Sequence, residues 1–323
     1  MLCATDGNPE AVVLESTHVA ADLRDLAAHV ILEQTYVNRE NQPIEAVYTF
    51  PLPMAATLLG LTVTLDGREL EAHAVEKTEA EEKYEDAITD GDAAIMLQEG
   101  EPGLYSMNVG NLKPGETCAI RLRFAQVHRF SGDNLRFHLP TTLAPRYGDP
   151  VAAGLDPHQA PETVLDSGKS FSLDLRVSGS LAQAQLHSPS HEISVARDGE
   201  AQRIRLAKET AAMDRDFVLL LTPQEVPQGT GLLVQDPRMD GQGSVAMAAF
   251  LPRLAGDLDP DPLNLKIVVD CSGSMGGDSM AQAREALLSI LDALRPGDYF
   301  SITAFGSTHK CLFPEQRRVD FPD

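Results

Sequence analysis

The chain has 323 residues, of which 43% are hydrophobic and 23% charged, a balance typical of a globular protein with two or three domains. Acidic residues outnumber basic ones by 48 to 26, which gives a net charge of −22. This charge disfavours nucleic acids and anionic membranes as partners, because both are bound through basic residues. Cations, or basic patches on partner proteins, suit it better.

The cysteines and the N-terminus bear on cellular location. The four cysteines are widely spaced and form no metal-ligand or disulfide pattern: Cys3, Cys118, Cys271 and Cys311. The first ten residues lack the basic and apolar regions of a signal peptide. No apolar stretch approaches the ~18 residues of a membrane span. These features predict a protein of the reducing cytoplasm with no membrane span.

The first 150 residues are predicted to be mainly β. Residues 61–65 and 68–75 are strand-like runs joined by Asp66–Gly67, a dipeptide typical of a two-residue hairpin turn. Residues 117–127 alternate apolar and polar side chains, which predicts a half-buried strand. Residues 76–90 are the exception, since their apolar spacing and i,i+4 ion pairs predict a helix.

The middle of the chain is also predicted to be β, between two linkers. Residues 148–170 and 255–262 are rich in Gly, Pro, Asp or Ala without periodicity, as linkers are. Between them, apolar residues alternate from Phe171 to Val177. Further strand-like runs follow at 202–206, 216–222 and 244–251.

The pattern changes near residue 263. Residues 265–269 form a short run, apolar except for Lys266, that suits a buried parallel strand. A Gly/Ser loop leads to an amphipathic helix at 279–294, and a second strand is predicted at 299–305. The order strand, helix, strand is the beginning of an α/β domain.

The loop after the first of these strands carries a candidate metal site. Asp270, Ser272 and Ser274 place one carboxylate and two hydroxyls at alternate positions between a strand and a helix. Oxygen ligands of this kind suit a hard cation, above all Mg²⁺. Alternatively, these side chains only satisfy the amides of the loop and of the helix start. The spacing alone leaves both interpretations open.

The same region resembles a known domain. IVVDCSGSM, AREALLSILDAL and GDYFSITAFGS are similar to the opening of a von Willebrand factor A domain. The resemblance implies a metal-ion-dependent adhesion site (MIDAS) in which Asp270, partly through water, and the hydroxyls of Ser272 and Ser274 hold Mg²⁺ or Mn²⁺. In that family a Thr and an Asp from later loops complete the site. Those loops are expected beyond residue 323, so this chain is expected to bind the ion weakly.

The N-terminal half resembles a second domain. The similar segments are PIEAVYTFPLP (43–53), the stretch around 82–85, VGNLKPGE (109–116) and LPTTLAPRYGDP (139–150). They resemble the VIT domain shared by vault-associated proteins and inter-alpha-trypsin inhibitor heavy chains. The resemblance implies a β-sandwich-like domain with one helix, and a protein closer to the intracellular members than to the secreted ones.

A multidomain architecture follows. Residues 1–150 are expected to form the β-rich VIT domain and to fold alone, and residues 151–262 a β-rich connector. Residues 263–323 are expected to form the first, incomplete part of a Rossmann-like α/β von Willebrand A domain.

The leading functional hypothesis is a non-enzymatic interaction module that docks an acidic group of an unidentified protein partner through the divalent cation. One alternative is a metal-dependent hydrolase, which would need a general base beside the ion. Another is a structural or assembly role of the VIT domain with a non-functional A domain.

Overall fold

The structure, a computed structural model, divides into two compact units, residues 1–252 and 253–323. It describes residues 2–4, 11–65, 67–71, 95–99, 104–141, 168–224, 229–236, 243–250, 261–275 and 278–320. The helix predicted at 76–90 lies outside the described residues.

The first unit is built from β-strands in its described parts. Their bounds are β1 Leu2–Ala4, β2 Val12–Arg24, β3 Ala27–Asn38, β4 Ile44–Pro51, β5 Ala56–Leu65, β6 Arg68–Glu71, β7 Ile95–Glu99, β8 Leu104–Leu112, β9 Thr117–Val127, β10 Phe130–Ser131, β11 Asn134–Leu139, β12 Ser170–Ser178, β13 Gln185–His187, β14 Ile193–Asp198, β15 Ala201–Leu206, β16 Ala211–Ala212, β17 Phe217–Thr222, β18 Gly229–Gln235 and β19 Ser244–Phe250.

These strands pair into one large sheet and three smaller ones. The large sheet has the order β14-β15-β12-β2-β3-β9-β5-β6, with β16 paired to β12. Its neighbours are antiparallel except β12 and β2, which run parallel with Ser172 opposite His18. The smaller sheets are β1-β4-β8-β7, β10-β11-β17-β13 and the ribbon β18-β19.

Alternation along the strands explains which face of the large sheet is buried. In β9, Cys118, Ile120, Leu122 and Phe124 are at most 2% exposed, whereas Arg121 on the other face is exposed. This is the period-2 pattern of a strand with one face in the core. The strands predicted at 117–127 and 171–177 and the hairpin at Asp66–Gly67 are confirmed, the hairpin by the pairing of Leu65 with Arg68.

A polar cluster lies inside the core of the first unit. The amide nitrogen of Gln34 donates to Thr17 Oγ1 at 3.1 Å, and its carbonyl oxygen accepts from the hydroxyls of Tyr36 and Tyr48. Burial raises the pKa of Tyr48 above its usual range and that of the Cys118 thiol to about 12. Both groups are therefore neutral at physiological pH, and the buried polar atoms of Gln34 are satisfied.

The large sheet does not end at residue 150. β12, from the region predicted as a connector, pairs with β2, and β17 pairs with β11. Residues 1–252 thus form one compact unit, and whether residues 1–150 fold alone stays a prediction that this pairing disfavours. The boundaries of the VIT domain and of the connector themselves stay predictions.

The second unit contains a parallel strand–helix–strand element. Its elements are β20 Asn264–Asp270, α1 Asp278–Asp292, β21 Tyr299–Phe305, β22 His309–Cys311 and β23 Arg317–Arg318. β20 and β21 run parallel, with Asn264 opposite Tyr299 and Asp270 opposite Phe305. The predicted strand, helix and strand are confirmed, although α1 ends two residues before Leu294. The expectation that the first strand is buried is wrong, because no residue of β20 is fully buried and Val268 is 66% exposed. Among the described helices, none combines the length and apolar character of a membrane span.

Candidate metal-binding loop

The candidate loop lies within the second unit, at the carboxyl ends of two parallel strands. Asp270 is the last residue of β20 and lies opposite Phe305, the last residue of β21. The backbone N–H of Cys271 donates to the carbonyl of Phe305 at 2.6 Å, which fixes the loop to the second strand. Ligands of open α/β sheets bind at this edge.

Hydrogen bonds within the loop bring two of the three predicted ligands together. Asp270 Oδ1 accepts the backbone N–H of Ser272 at 2.8 Å. The N–H of Met275 donates to the carbonyl of Ser272 at 3.0 Å, which closes the 3-10 helix Gly273–Met275. Ser274 lies in this helix, and its side chain is outside the described residues. The carboxylate of Asp270 is therefore held against the backbone of Ser272 within one turn of the chain.

This geometry bears on both interpretations of the loop. Asp270 does satisfy a loop amide, as the structural interpretation requires, and the same bond orients its carboxylate. Asp270 and Ser272 are both half-buried. A carboxylate and serine hydroxyls are the donor chemistry of a Mg²⁺ site, so the residues present fit the ion. Among the described residues, no group of three or more His, Cys, Asp or Glu could hold a metal.

Gly306, directly after β21, supports the loop and has no part in the sequence-based prediction. A Cβ at this position would lie 3.1 Å from the carbonyl oxygen of Cys271 and 3.3 Å from its carbon. Such contacts are tighter than a side chain normally makes, so a Cβ here would push the two strand ends apart. A glycine immediately after a predicted parallel strand was the available signal.

Gly306→Ala is expected to destabilise β20 and β21 by about 1–3 kcal/mol, because the added methyl group pushes against loop backbone. Hydrogen exchange of the amides of these strands measures the effect. Gly273→Ala is the control, since no atom lies within 4 Å of its added Cβ, and its effect is expected to stay within about 0.5 kcal/mol. Equal effects of the two substitutions would contradict the close approach.

Asp298 organises the opposite end of the strands. It is buried, and its two carboxylate oxygens accept the N–H groups of Arg295 and Leu263, each at 2.7 Å. These backbone hydrogen bonds lower the pKa of Asp298. The carboxylate thereby joins the chain after α1 to the start of β20. Pro296–Gly297 precedes it directly.

Comparison with known proteins identifies the class of the first unit. Residues 14–124 match the family "Vault protein inter-alpha-trypsin domain", or VIT. These residues include β3, β5 and β6 and most of β2 and β9 of the large sheet. The match covers about a third of the chain, and relatives of the whole chain are named for a von Willebrand factor A domain.

These relatives match nearly the whole chain. von Willebrand factor A domain-containing protein 5A of Rattus norvegicus is 30% identical over 96% of this chain and 40% of its own length. Protein mono-ADP-ribosyltransferase PARP4 of Homo sapiens is 26% identical over 97% of this chain and 18% of its own length. The chain thus spans two fifths or less of these two relatives.

Similarity to solved structures is weaker. An M1 zinc metallopeptidase of Deinococcus radiodurans aligns with 78% of this chain and 51% of its own, with 12% identity and a TM-score of 0.32. A likeness at this level carries no functional information.

Proposed function

We propose that the chain is a non-enzymatic protein-interaction module that docks an acidic group of a partner through a divalent cation, Mg²⁺ or Mn²⁺. Asp270, Ser272 and Ser274 hold the ion in this MIDAS-type site. The observation that carries the proposal is the bond from the Ser272 amide to Asp270 Oδ1, at the carboxyl edge of two parallel strands. The relatives named for a von Willebrand factor A domain support it.

Charge explains why a cation is needed at the contact. A chain of net charge −22 repels an acidic partner at long range. A bound dication is the largest local charge in such a site and reverses the sign of the potential there. Mg²⁺ takes few protein ligands and keeps water in its other positions, and a partner carboxylate can replace one of these waters.

The proposal requires no chemical step from this chain. The transferase activity in the name of PARP4 belongs to that protein, of which this chain matches 18%. No described feature of the loop favours hydrolysis over docking.

Asp270→Asn is expected to weaken Mn²⁺ binding at least about tenfold, a loss of ~1.4 kcal/mol in binding free energy. The substitution removes the carboxylate charge and keeps an oxygen that accepts the Ser272 amide, so the loop is expected to stay folded. Calorimetric titration with Mn²⁺ measures the difference. The chain itself is expected to bind weakly, since one carboxylate and two hydroxyls are few ligands.

Asp292→Asn is the matched control for Asp270→Asn, because Asp292 is an exposed carboxylate at the other end of α1. Ser272→Ala is a second variant of the site. Its control is Ser289→Ala, since Ser289 Oγ only donates to the carbonyl of Glu285. We expect both controls to bind Mn²⁺ as the wild type does, and Asp270→Asn and Ser272→Ala to bind it more weakly. Equal binding by all five proteins would refute the metal assignment.

Docking is tested apart from ion binding with the α-amide of N-acetylglutamate as the probe, whose only carboxylate is that of the side chain. Mn²⁺ bound to the chain is expected to enhance proton relaxation of this probe, and to act much less on the α-amide of N-acetylglutamine, which has no carboxylate. Equal relaxation of both probes would leave the ion bound without a docking role and would overturn that part of the proposal.

A further inference from the structure

Five aromatic rings form a continuous row in the first unit, with a histidine at one end and another inside it. Successive ring centroids lie 5.6 Å apart for His128 and Phe137, 6.4 Å for Phe137 and Phe217, 5.8 Å for Phe217 and His191, and 5.4 Å for His191 and Phe171. Since Phe137 is on β11, Phe217 on β17 and Phe171 on β12, this ring row crosses from the small sheet β10-β11-β17-β13 to the large sheet.

His128 is held as a neutral ring. It is 4% exposed, and its Nδ1 lies 3.1 Å from the carbonyl of Arg136, an acceptor that places the proton on Nδ1. Its Nε2 is buried and has no hydrogen-bond partner among the described residues. A proton added there would be a buried charge whose N–H has no acceptor.

His191 has a similar arrangement. The ring is half-buried between Phe171 and Phe217, and its Nδ1 lies 2.9 Å from Ser190 Oγ. Its Nε2 is buried and makes no hydrogen bond within the described part of the chain. Burial lowers the pKa of His191, and the smaller opposing effect of the Ala212 backbone does not offset it.

The charged groups near His191 act on it in opposite directions. Asp214 raises the pKa of His191 and Arg215 lowers it, and these two side chains pair with each other at 2.9 Å. Asp216, further along, pairs with His138 at 2.9 Å. The Asp214–Arg215 pair supplies little net charge to balance a protonated His191.

The charged groups near His128 are likewise engaged or directed elsewhere. Its backbone N–H donates to Leu26 in the β2–β3 turn, where the carboxylate of Asp25 accepts the N–H of Ser180 at 2.7 Å. On β11, Arg136 presents its carbonyl to the ring, while the residue itself is exposed. Arg129, next in sequence, is also exposed.

We propose that His128 and His191 form a pH-sensitive pair whose protonation loosens the packing of the sheet β10-β11-β17-β13. Burial lowers the pKa of both histidines in the folded chain. The unfolded chain therefore takes up these protons first as the pH falls through about 6.5, and stability falls with it. Above that pH both states are neutral and the contribution is fully present. Because the rings lie along the row, the effect is expected in this sheet before the rest of the unit.

Hydrogen exchange at about pH 7.5 and pH 5.5, corrected for intrinsic rates, tests the proposal. We expect protection of 134–139 and 217–222 to fall at least about tenfold more than that of 27–38 and 117–127. In the double variant His128→Asn/His191→Asn, which keeps a donor at the Nδ1 position, the extra loss of protection at 134–139 and 217–222 on acidification is expected to vanish. His29→Asn is the control, since His29 is exposed on β3.

A uniform loss of protection across the unit, or an unchanged acid response in the double variant, would overturn the proposal. If that variant fails to fold at neutral pH, the imidazole carbon signals of wild type decide the question. The proposal requires both rings to stay neutral below about pH 6 while 134–139 and 217–222 remain protected. Titration of both rings near 6.5 with protection intact would refute it.

Discussion

A fragment of residues 1–150 is expected to show no cooperative unfolding transition, whereas a fragment of residues 1–252 is expected to unfold cooperatively. Strands β12 and β17 supply seven core side chains that are at most 4% exposed: Phe171, Leu173, Leu175, Val177, Phe217, Leu219 and Leu221. Removing a single large core side chain typically costs ~2–5 kcal/mol. The loss of all seven exceeds the ~5–15 kcal/mol that stabilises a domain.

The shorter fragment also loses backbone pairing. The edge of β2 from His18 to Arg24 pairs with β12, and Leu135 to Leu139 of β11 pair with β17. Both strands would present unpaired N–H and C=O groups beside apolar side chains, which favours aggregation. Urea unfolding followed by circular dichroism distinguishes the fragments. A sharp transition of the 1–150 fragment, with the stability of the longer one, would show that the first 150 residues fold independently.

Gly179→Ala is expected to destabilise the first unit by about 3–5 kcal/mol, from backbone strain and a disrupted hydrogen bond. Gly179 has φ +71°, and an added Cβ would lie 2.5 Å from Asp25 Oδ1. That oxygen cannot move away freely, because it accepts the N–H of Ser180 and Asp25 is itself buried with φ 53°. The substitution therefore breaks the contact between the β2–β3 turn and the end of β12.

Gly199→Ala separates the cost of backbone strain from the cost of disturbing the Asp25 contact. Gly199 has φ +63°, but no atom lies within 4 Å of its added Cβ. This variant is expected to lose only the ~1–2 kcal/mol of left-handed strain. Free energies of unfolding from urea titration of both variants give the comparison. Equal losses would mean that Asp25 relaxes without cost and that the turn contact is unimportant.

Local patterns predicted individual strands and the Asp66–Gly67 hairpin, but not the partners of β9 and β12. β9 and β12 were visible in the sequence because their apolar residues alternate with polar ones. The parallel pairing of β12 with β2 joins Ser172 to His18, 154 residues apart. Nothing within either segment specifies this register, so the sequence did not show that β12, from the predicted connector, pairs with β2.

For the candidate loop as well, the sequence revealed local features but not long-range contacts. Asp270 and Ser272 were found because both lie in one short motif after an apolar strand. Gly306 and Asp298 were missed, because each acts on a segment more than 30 residues earlier in the chain. Gly306 contacts Cys271, and Asp298 holds the N–H of Leu263. Such contacts appear only when the strands are placed side by side.

Paramagnetic broadening by substoichiometric Mn²⁺ tests the central claim most directly, because it locates the ion on a chain with 48 acidic residues. In amide spectra of the labelled protein, we expect Cys271, Ser272, Met275 and Gly306 to lose their signals first. The same signals are expected to persist in Asp270→Asn under identical conditions. Broadening that begins elsewhere, or that is unchanged in Asp270→Asn, would contradict a metal site in this loop.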